Sequence, residues 1–173
     1  MLVNMSYQLS AHLLETISRE LPHLQALPEP LAEIHPNGPE AWSPKQELGH
    51  LIDSATNNHI RFVRAALEGA YRGPGYAQND WVHIHAYQEM PWEDIVSTWH
   101  TYNKFLASLI ANIPANKLAA ECFIGSAQAP ETLAFVIDDY ILHMQHHIDH
   151  LLRRQSITEY PQAAGVKASA TPV

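Results

Sequence analysis

Apolar residues recur at steps of three and four in four long stretches of the chain, the spacing that gathers them on one face of a helix. The first stretch starts near Ser6 and carries Leu9, Leu13, Ile17, Leu21 and Leu24. Pro22 lies inside it and lacks an amide hydrogen, which predicts a kink or a break there. From about Leu27 to Trp42 the period is lost among Pro28, Pro30, Pro36 and Pro39, which predicts a loop. The second helix has the clearest start. Ser43, Pro44 and Gln46 make a capping box with proline at the first helical position, where its missing donor does no harm. Leu48, Ile52, Ala55, His59, Phe62, Val63 and Ala66 then share a stripe, and Gly69 is a stop.

Signals weaken over residues 70–90. YRGPGYAQ reads as a loop, and Asn79 as the cap of a short helix over Asp80–Tyr87. Pro91 opens the third long helix, with Trp92, Ile95, Val96, Trp99, Tyr102, Leu106, Leu109 and Ile110 on one side. Glu93 and Asp94 suit its positive end, and Pro114 closes it. Residues 115–131 read as an irregular or briefly extended connector holding Cys122. The fourth helix spans about Leu133 to Arg154, with Arg153 and Arg154 at its negative end. The tail from Ser156 to Val173, rich in Ala, Thr, Ser and Pro, is expected to be flexible. There is no internal repeat and no convincing set of strands. The predicted fold class is therefore all-α: one four-helix bundle over residues 1–155.

Composition narrows the function. At 173 residues the chain suits one domain, and 46% hydrophobic residues supply a sizeable core. A net charge of -8 argues against nucleic acid or an anionic membrane as the main partner, because phosphate contacts need a basic face. No apolar run approaches the roughly 18–20 residues of a membrane span. The opening MLVNMSYQLS lacks a basic segment followed by an apolar one, so no secretory signal is expected. The single cysteine, Cys122, rules out an intrachain disulfide framework, and a cytoplasmic location is expected.

The unusual count is twelve histidines, of which His143, His146, His147 and His150 fall within eight residues of the fourth helix. Histidines four apart on a helix lie one turn apart on the same face, and their rings can converge on one metal ion. Two pairs qualify, 143 with 147 and 146 with 150. The apolar stripe of this helix is Leu133, Ile137, Ile141, Met144, Ile148 and Leu151. Turning about 100° per residue, His147 lies roughly 70° from the stripe's centre and His143 roughly 110°, whereas His150 and His146 lie at about 130° and 170°. The first pair borders the bundle interior, where metal sites of bundles are built. A third ligand must come from another helix, and His12, His23, His50, His59, His83, His85 and His100 all qualify by chemistry. His59 sits on an apolar stripe, where a lone histidine is more often a core residue. His83 and His85 would share a face only in a strand. His50 shares a polar side with Ser54, Asn57 and Arg61. That side is either a solvated face or the lining of a pocket, and the helical wheel does not choose.

Two segments resemble the DinB/YfiT superfamily of metal-dependent bundle proteins. Trp42-Ser43-Pro44-Lys45-Gln46-Glu47-Leu48-Gly49-His50-Leu51 resembles that family's W-[ST]-x-x-[QE]-x-x-x-H-L segment. His143-Met144-Gln145-His146-His147-Ile148-Asp149-His150 resembles its H-x-x-H-H run on the last helix. The YfiT branch is the most similar, through Asp53-Ser54, Ile60-Arg61-Phe62, Tyr140 and the Arg153-Arg154 ending. The resemblance covers about residues 8–155. It implies a metal held by His50, His143 and His147, and it is the resemblance that selects His50. Many relatives have Gln where this chain has His150, which leaves that residue as either an outer partner of the ligands or an extra ligand.

Three neutral imidazoles with an open position is the pattern of a catalytic zinc site, and nickel suits the same nitrogens. Asp139, one turn before His143, reads either as a partner that orients its ring or as a solvated aspartate. Arg61 reads as a surface salt bridge in preference to a holder of an anionic substrate group. Cys122, with no basic neighbour, reads as structural. The resemblance implies a metal-dependent hydrolase in which one divalent ion per chain activates a water. A second function it allows is transfer of a low-molecular-weight thiol to an electrophile. A third is a non-catalytic binding or stress protein whose metal ties two helices together. Family likeness, and aromatics such as Trp92 and Trp99 on helices with more than one greasy side, imply a homodimer.

Overall fold

The computed structural model describes residues 4–155, so the tail expected to be flexible over residues 156–173 lies outside the described residues. Four long helices, α1 (Met5–Ala26), α3 (Pro44–Glu68), α5 (Trp92–Ala111) and α6 (Leu133–Leu151), form the predicted bundle. α1 packs on α5 and α6, and α3 packs on the same two, so α1 and α3 stand diagonally opposite. The core between them holds Leu13, Ile17 and Leu24 of α1, Leu48, Leu51 and Phe62 of α3, Ile95, Trp99, Leu106 and Ile110 of α5, and Ile137, Ile141 and Ile148 of α6. Each such side chain removed from water contributes about 1.5–3 kcal/mol.

Local chemistry sets the ends. Asn4 accepts a hydrogen bond from the Ser6 amide at the start of α1. Ser43 Oγ accepts from the Gln46 amide at 3.3 Å, and Gln46 Oε1 accepts from the Ser43 amide at 3.0 Å, completing the predicted capping box on α3. Gly69 ends α3 at φ 82°, a conformation that favours glycine. Thr132 caps α6 through the Phe135 amide.

Several expectations are corrected. Of the kink or break expected at Pro22, the break is absent: α1 runs on to Ala26. Leu24 beyond the proline is fully buried, and its carbonyl accepts from the Trp92 indole at 2.9 Å, so tertiary packing carries the helix past the lost donor. The loop after α1 contains a one-turn helix, α2 (Glu29–Ala32). The short helix α4 spans Gln78–His85, with Asn79 inside its first turn and Ala77 at the cap. α6 stops at Leu151, and Arg154 beyond it pairs with Glu20 at 2.6 Å and Asp149 at 2.8 Å. Trp92 and Trp99, expected to present a second greasy side, are both buried inside the one chain.

Three short strands are also present: β1 (Ala70–Gly73), β2 (Glu121–Ile124) and β3 (Glu131–Thr132). β1 pairs parallel with β2, with Tyr71 opposite Cys122, and β2 pairs antiparallel with β3. At two to four residues each, they are too short for an alternating pattern to stand out. β1 leaves the end of α3, and β3 leads directly into α6. The sheet thus ties the end of α3 to the start of α6 and fixes the register in which the two helices face each other. Among the described residues no helix is long and apolar enough to cross a membrane.

Candidate metal centre

His50 projects from the first half of α3, and His143 and His147 from the second half of α6. Their ring nitrogens converge: His147 Nε2 is 3.1 Å from His143 Nε2, and His50 Nε2 is 3.5 Å from His143 Nε2. One ring nitrogen from each lies within 4.8 Å of the others. Nitrogens bound at about 2.0–2.1 Å to one tetrahedral ion stand roughly 3.3–3.4 Å apart, and the two pairs that involve His143 are already close to that spacing.

Electrostatics keep the rings ready to bind. His50 is fully buried, and that burial, helped by the neighbouring His147, holds its pKa down at about 3. Burial and then the surrounding His147, His50 and His146 rings hold His143 well below the usual imidazole range. Neutral imidazole offers the lone pair a metal takes. His147 is oriented from outside: its Nδ1–H donates to Glu47 Oε1 at 2.8 Å, because a carboxylate only accepts. Its Nε2 therefore faces the cluster as an acceptor. Glu47 is buried on α3, three residues before His50. It also accepts from His150 Nδ1 at 2.8 Å.

The sequence-predicted residues sort clearly. The wheel's inner pair, His143 and His147, joins the cluster. His150 is exposed and touches Glu47, and His146 is half-buried with its ring 5.4 Å from that of His147. Glu47, with Trp42, His146, His147 and His150, lines a hollow of 230 Å³. Asp139 is half-buried on α6, one turn before His143. His59 bonds Tyr102 at 2.9 Å, in keeping with a satisfied histidine. Cys122 is buried, and burial raises its thiol pKa, in keeping with a structural role. Arg61 departs from expectation. It is only 8% exposed, and among the described residues no carboxylate lies within salt-bridge distance of it, so it is not a surface ion pair.

Two features were not read from the sequence. One is Glu47, which stands just after the capping box and three residues before His50. The other is a polar group flanking the cluster. Asp53, buried one turn after His50, accepts from the Tyr87 hydroxyl at 2.7 Å and lies 3.0 Å from His85 Nδ1. Burial raises its pKa, and its Oδ2 is buried with no hydrogen-bond partner among the described residues. The Tyr87 ring packs against Gly49, where an added Cβ would sit 2.2 Å from ring carbons. Trp42 and Tyr76 flank His50, with ring centroids at 4.9 and 6.3 Å.

A helical bundle with three convergent histidines between its helices defines the class to which this fold belongs. No family model matches the chain, and no curated protein matches it. Among solved structures it is similar to YfiT from Bacillus subtilis, described as a probable metal-dependent hydrolase with an unusual four-helix bundle topology. The TM-score is 0.73 over 86% of this chain and 84% of that one, at 18% sequence identity. That likeness establishes a YfiT-like fold.

Proposed function

We propose that the protein is a metal-dependent hydrolase in which His50, His143 and His147 hold one divalent ion. The observation that carries this reading is the convergence of three Nε2 atoms from two helices, with His147 turned inward by Glu47. The description of YfiT as a probable metal-dependent hydrolase supports it. Held by His50, His143 and His147, a divalent ion would supply Lewis acidity, able to lower the pKa of a water toward roughly 7 and to polarise a carbonyl or phosphoryl oxygen. Zinc suits three nitrogens with an open fourth position, and nickel is the natural substitute. The chain's own residues do the rest. Glu47 fixes the tautomer and angle of His147. The rings of Trp42 and Tyr76 flank His50 and limit access of bulk water to it.

The test is a panel of ester, amide and electrophilic substrates given to metal-loaded protein, with and without small thiols. Hydrolysis without thiol is the expected result. Turnover only with thiol, yielding a thioether, establishes the transferase instead. No turnover in fully metallated protein favours the non-catalytic binding or stress role. With this reading go a cytoplasmic location, in keeping with the single cysteine, and no nucleic-acid or anionic-membrane partner, supported by the net charge of -8. It also includes a homodimer, for which the exposed Ile60 and Leu67 of α3 and Phe105 of α5 offer an apolar face. Light scattering should give twice the chain mass, and a value near 19.4 kDa would exclude the dimer.

A further inference from the structure

From His50 a line of polar side chains runs along α3 at intervals of about one turn: His50, Ser54, Asn58 and Arg61. A line on a packed helix is ordinarily apolar, yet all four are buried, at 0%, 4%, 7% and 8% exposure. The step from Ser54 to Asn58 is braced. The Asn58 amide donates to the Ser54 carbonyl at 3.0 Å and is 3.3 Å from Ser54 Oγ. The last residue is different. Arg61 Nη1 donates to Asn58 Oδ1 at 3.3 Å, and among the described residues this is the guanidinium's one hydrogen bond. Arg61 keeps 8% exposure, and among the described residues its Nε and Nη2 are not among the buried donors without partners. Asp53, the buried carboxylate of the same helix, is engaged by Tyr87 and His85. A largely buried guanidinium with no carboxylate partner among the described residues is costly to maintain.

We infer that Arg61 is the anion-binding end of the substrate cleft, and that the substrate carries a carboxylate held by Arg61 while its reacting bond lies at the three-histidine cluster. This rests on the hydrolase reading above for the reacting end. The bond to Asn58 turns the guanidinium back along the helix toward His50, the direction in which helical side chains lean. Asn58 is eight residues beyond His50, so the two ends of the substrate stand roughly 12 Å apart along the axis. Tyr76 links them: its ring stacks on His50, and its hydroxyl lies in the fields of both Arg61 and Asp53. A carboxylate is preferred to a phosphate on charge. One planar guanidinium matches one carboxylate in two parallel bonds, whereas a dianion would face a single cation on an acidic protein.

The test follows the Arg61 side chain directly. In protein labelled at the arginine nitrogens, the Arg61 Nε–H signal is assigned by its loss in Arg61→Lys. It is then titrated with hexanoate and with hexanamide, in metal-loaded and in chelator-treated protein. The expected result is a saturable shift with the acid and none with the amide. Arg61→Gln should weaken acid binding about tenfold or more, and Arg61→Lys should recover part of it. An equal response to acid and amide overturns the inference, as does unchanged acid binding in a folded Arg61→Gln protein. A response in chelator-treated protein that also fails to bind any metal leaves Arg61 as an anion site and removes the metal reading alone. Metal binding without any acid response removes this inference alone. A ladder of mercaptoalkanoic acids, from mercaptoacetic to mercaptoundecanoic acid, then measures the span on cobalt-loaded protein by the thiolate absorption band. Affinity should peak at an intermediate length and exceed that of the matching mercaptoalkanol. Affinity indifferent to both length and tail would place Arg61 outside the cleft.

Discussion

Glu47 Oε1 lies 2.8 Å from His147 Nδ1, a contact made between α3 and α6 across one hundred residues of sequence. Glu47 therefore joins the two helices that carry the three histidines and decides which nitrogen of His147 faces the other two. Partners that orient a metal-binding histidine from outside are typically worth 10–100-fold in metal affinity. Glu47→Ala should lower zinc affinity by about that factor, and Glu47→Gln by less, because its amide oxygen still accepts from Nδ1–H. Competition with a fluorescent chelator measures both. Unchanged affinity in Glu47→Ala would show that packing alone orients the ring.

The ligands themselves should behave as a set. Elemental analysis of purified protein should give about one divalent ion per chain. His50→Ala, His143→Ala and His147→Ala should each lose most of it. His146→Ala should keep nearly all, since that ring lies beside the cluster and not in it. His150→Ala should weaken binding a few-fold, through its hydrogen bond to Glu47. Full occupancy in any of the first three variants would strike that residue from the set.

How much of this was legible follows from where each signal lies. His143 and His147 could be read because both sit on one helix, and their angle to the apolar stripe depends on local sequence only. His50 could not be read from periodicity, because Ser54, Asn58 and Arg61 on the same side make a buried polar line look like a solvated one. Motif likeness supplied it. Glu47 was hidden for a related reason: its partners are on α6, and only the packing of two helices creates the contact. The bundle was legible from four amphipathic stretches. The strands were not, being only two to four residues long. The continuity of α1 through Pro22 depends on Trp92, which lies far away in sequence.

Asp53 should oppose stability at neutral pH. Burial raises its folded pKa above the unfolded carboxylate value, although the Tyr87 hydrogen bond and the nearby His85 pull the other way. A carboxylate with a raised folded pKa takes up its proton more readily in the native state. Stability is then greatest below the unfolded pKa and falls as pH rises through the folded one. Asp53→Asn keeps an acceptor for Tyr87 and removes the buried charge. It should therefore be more stable than the parent at pH 7, with an advantage that shrinks toward pH 4. Urea denaturation at the two pH values measures this. A variant that is less stable at pH 7 would mean that His85 and Tyr87 outweigh the desolvation.

Gly49 should be irreplaceable for a steric reason, not a conformational one, since it lies within α3 with ordinary helical neighbours. A Cβ there would fall 2.2 Å from Cγ and Cδ2 of Tyr87, inside any van der Waals contact. Tyr87 is buried and tethered to Asp53, so the ring has little freedom to retreat. Overpacking of this kind typically costs about 1–3 kcal/mol. Alanine otherwise favours a helix interior over glycine by roughly 1 kcal/mol. Gly49→Ala should therefore destabilise the parent, yet become neutral or stabilising once Tyr87→Ala has removed the ring. A double-mutant cycle by chemical denaturation isolates the coupling. If Gly49→Ala costs the same in both backgrounds, Tyr87 is not what forbids a side chain at that position.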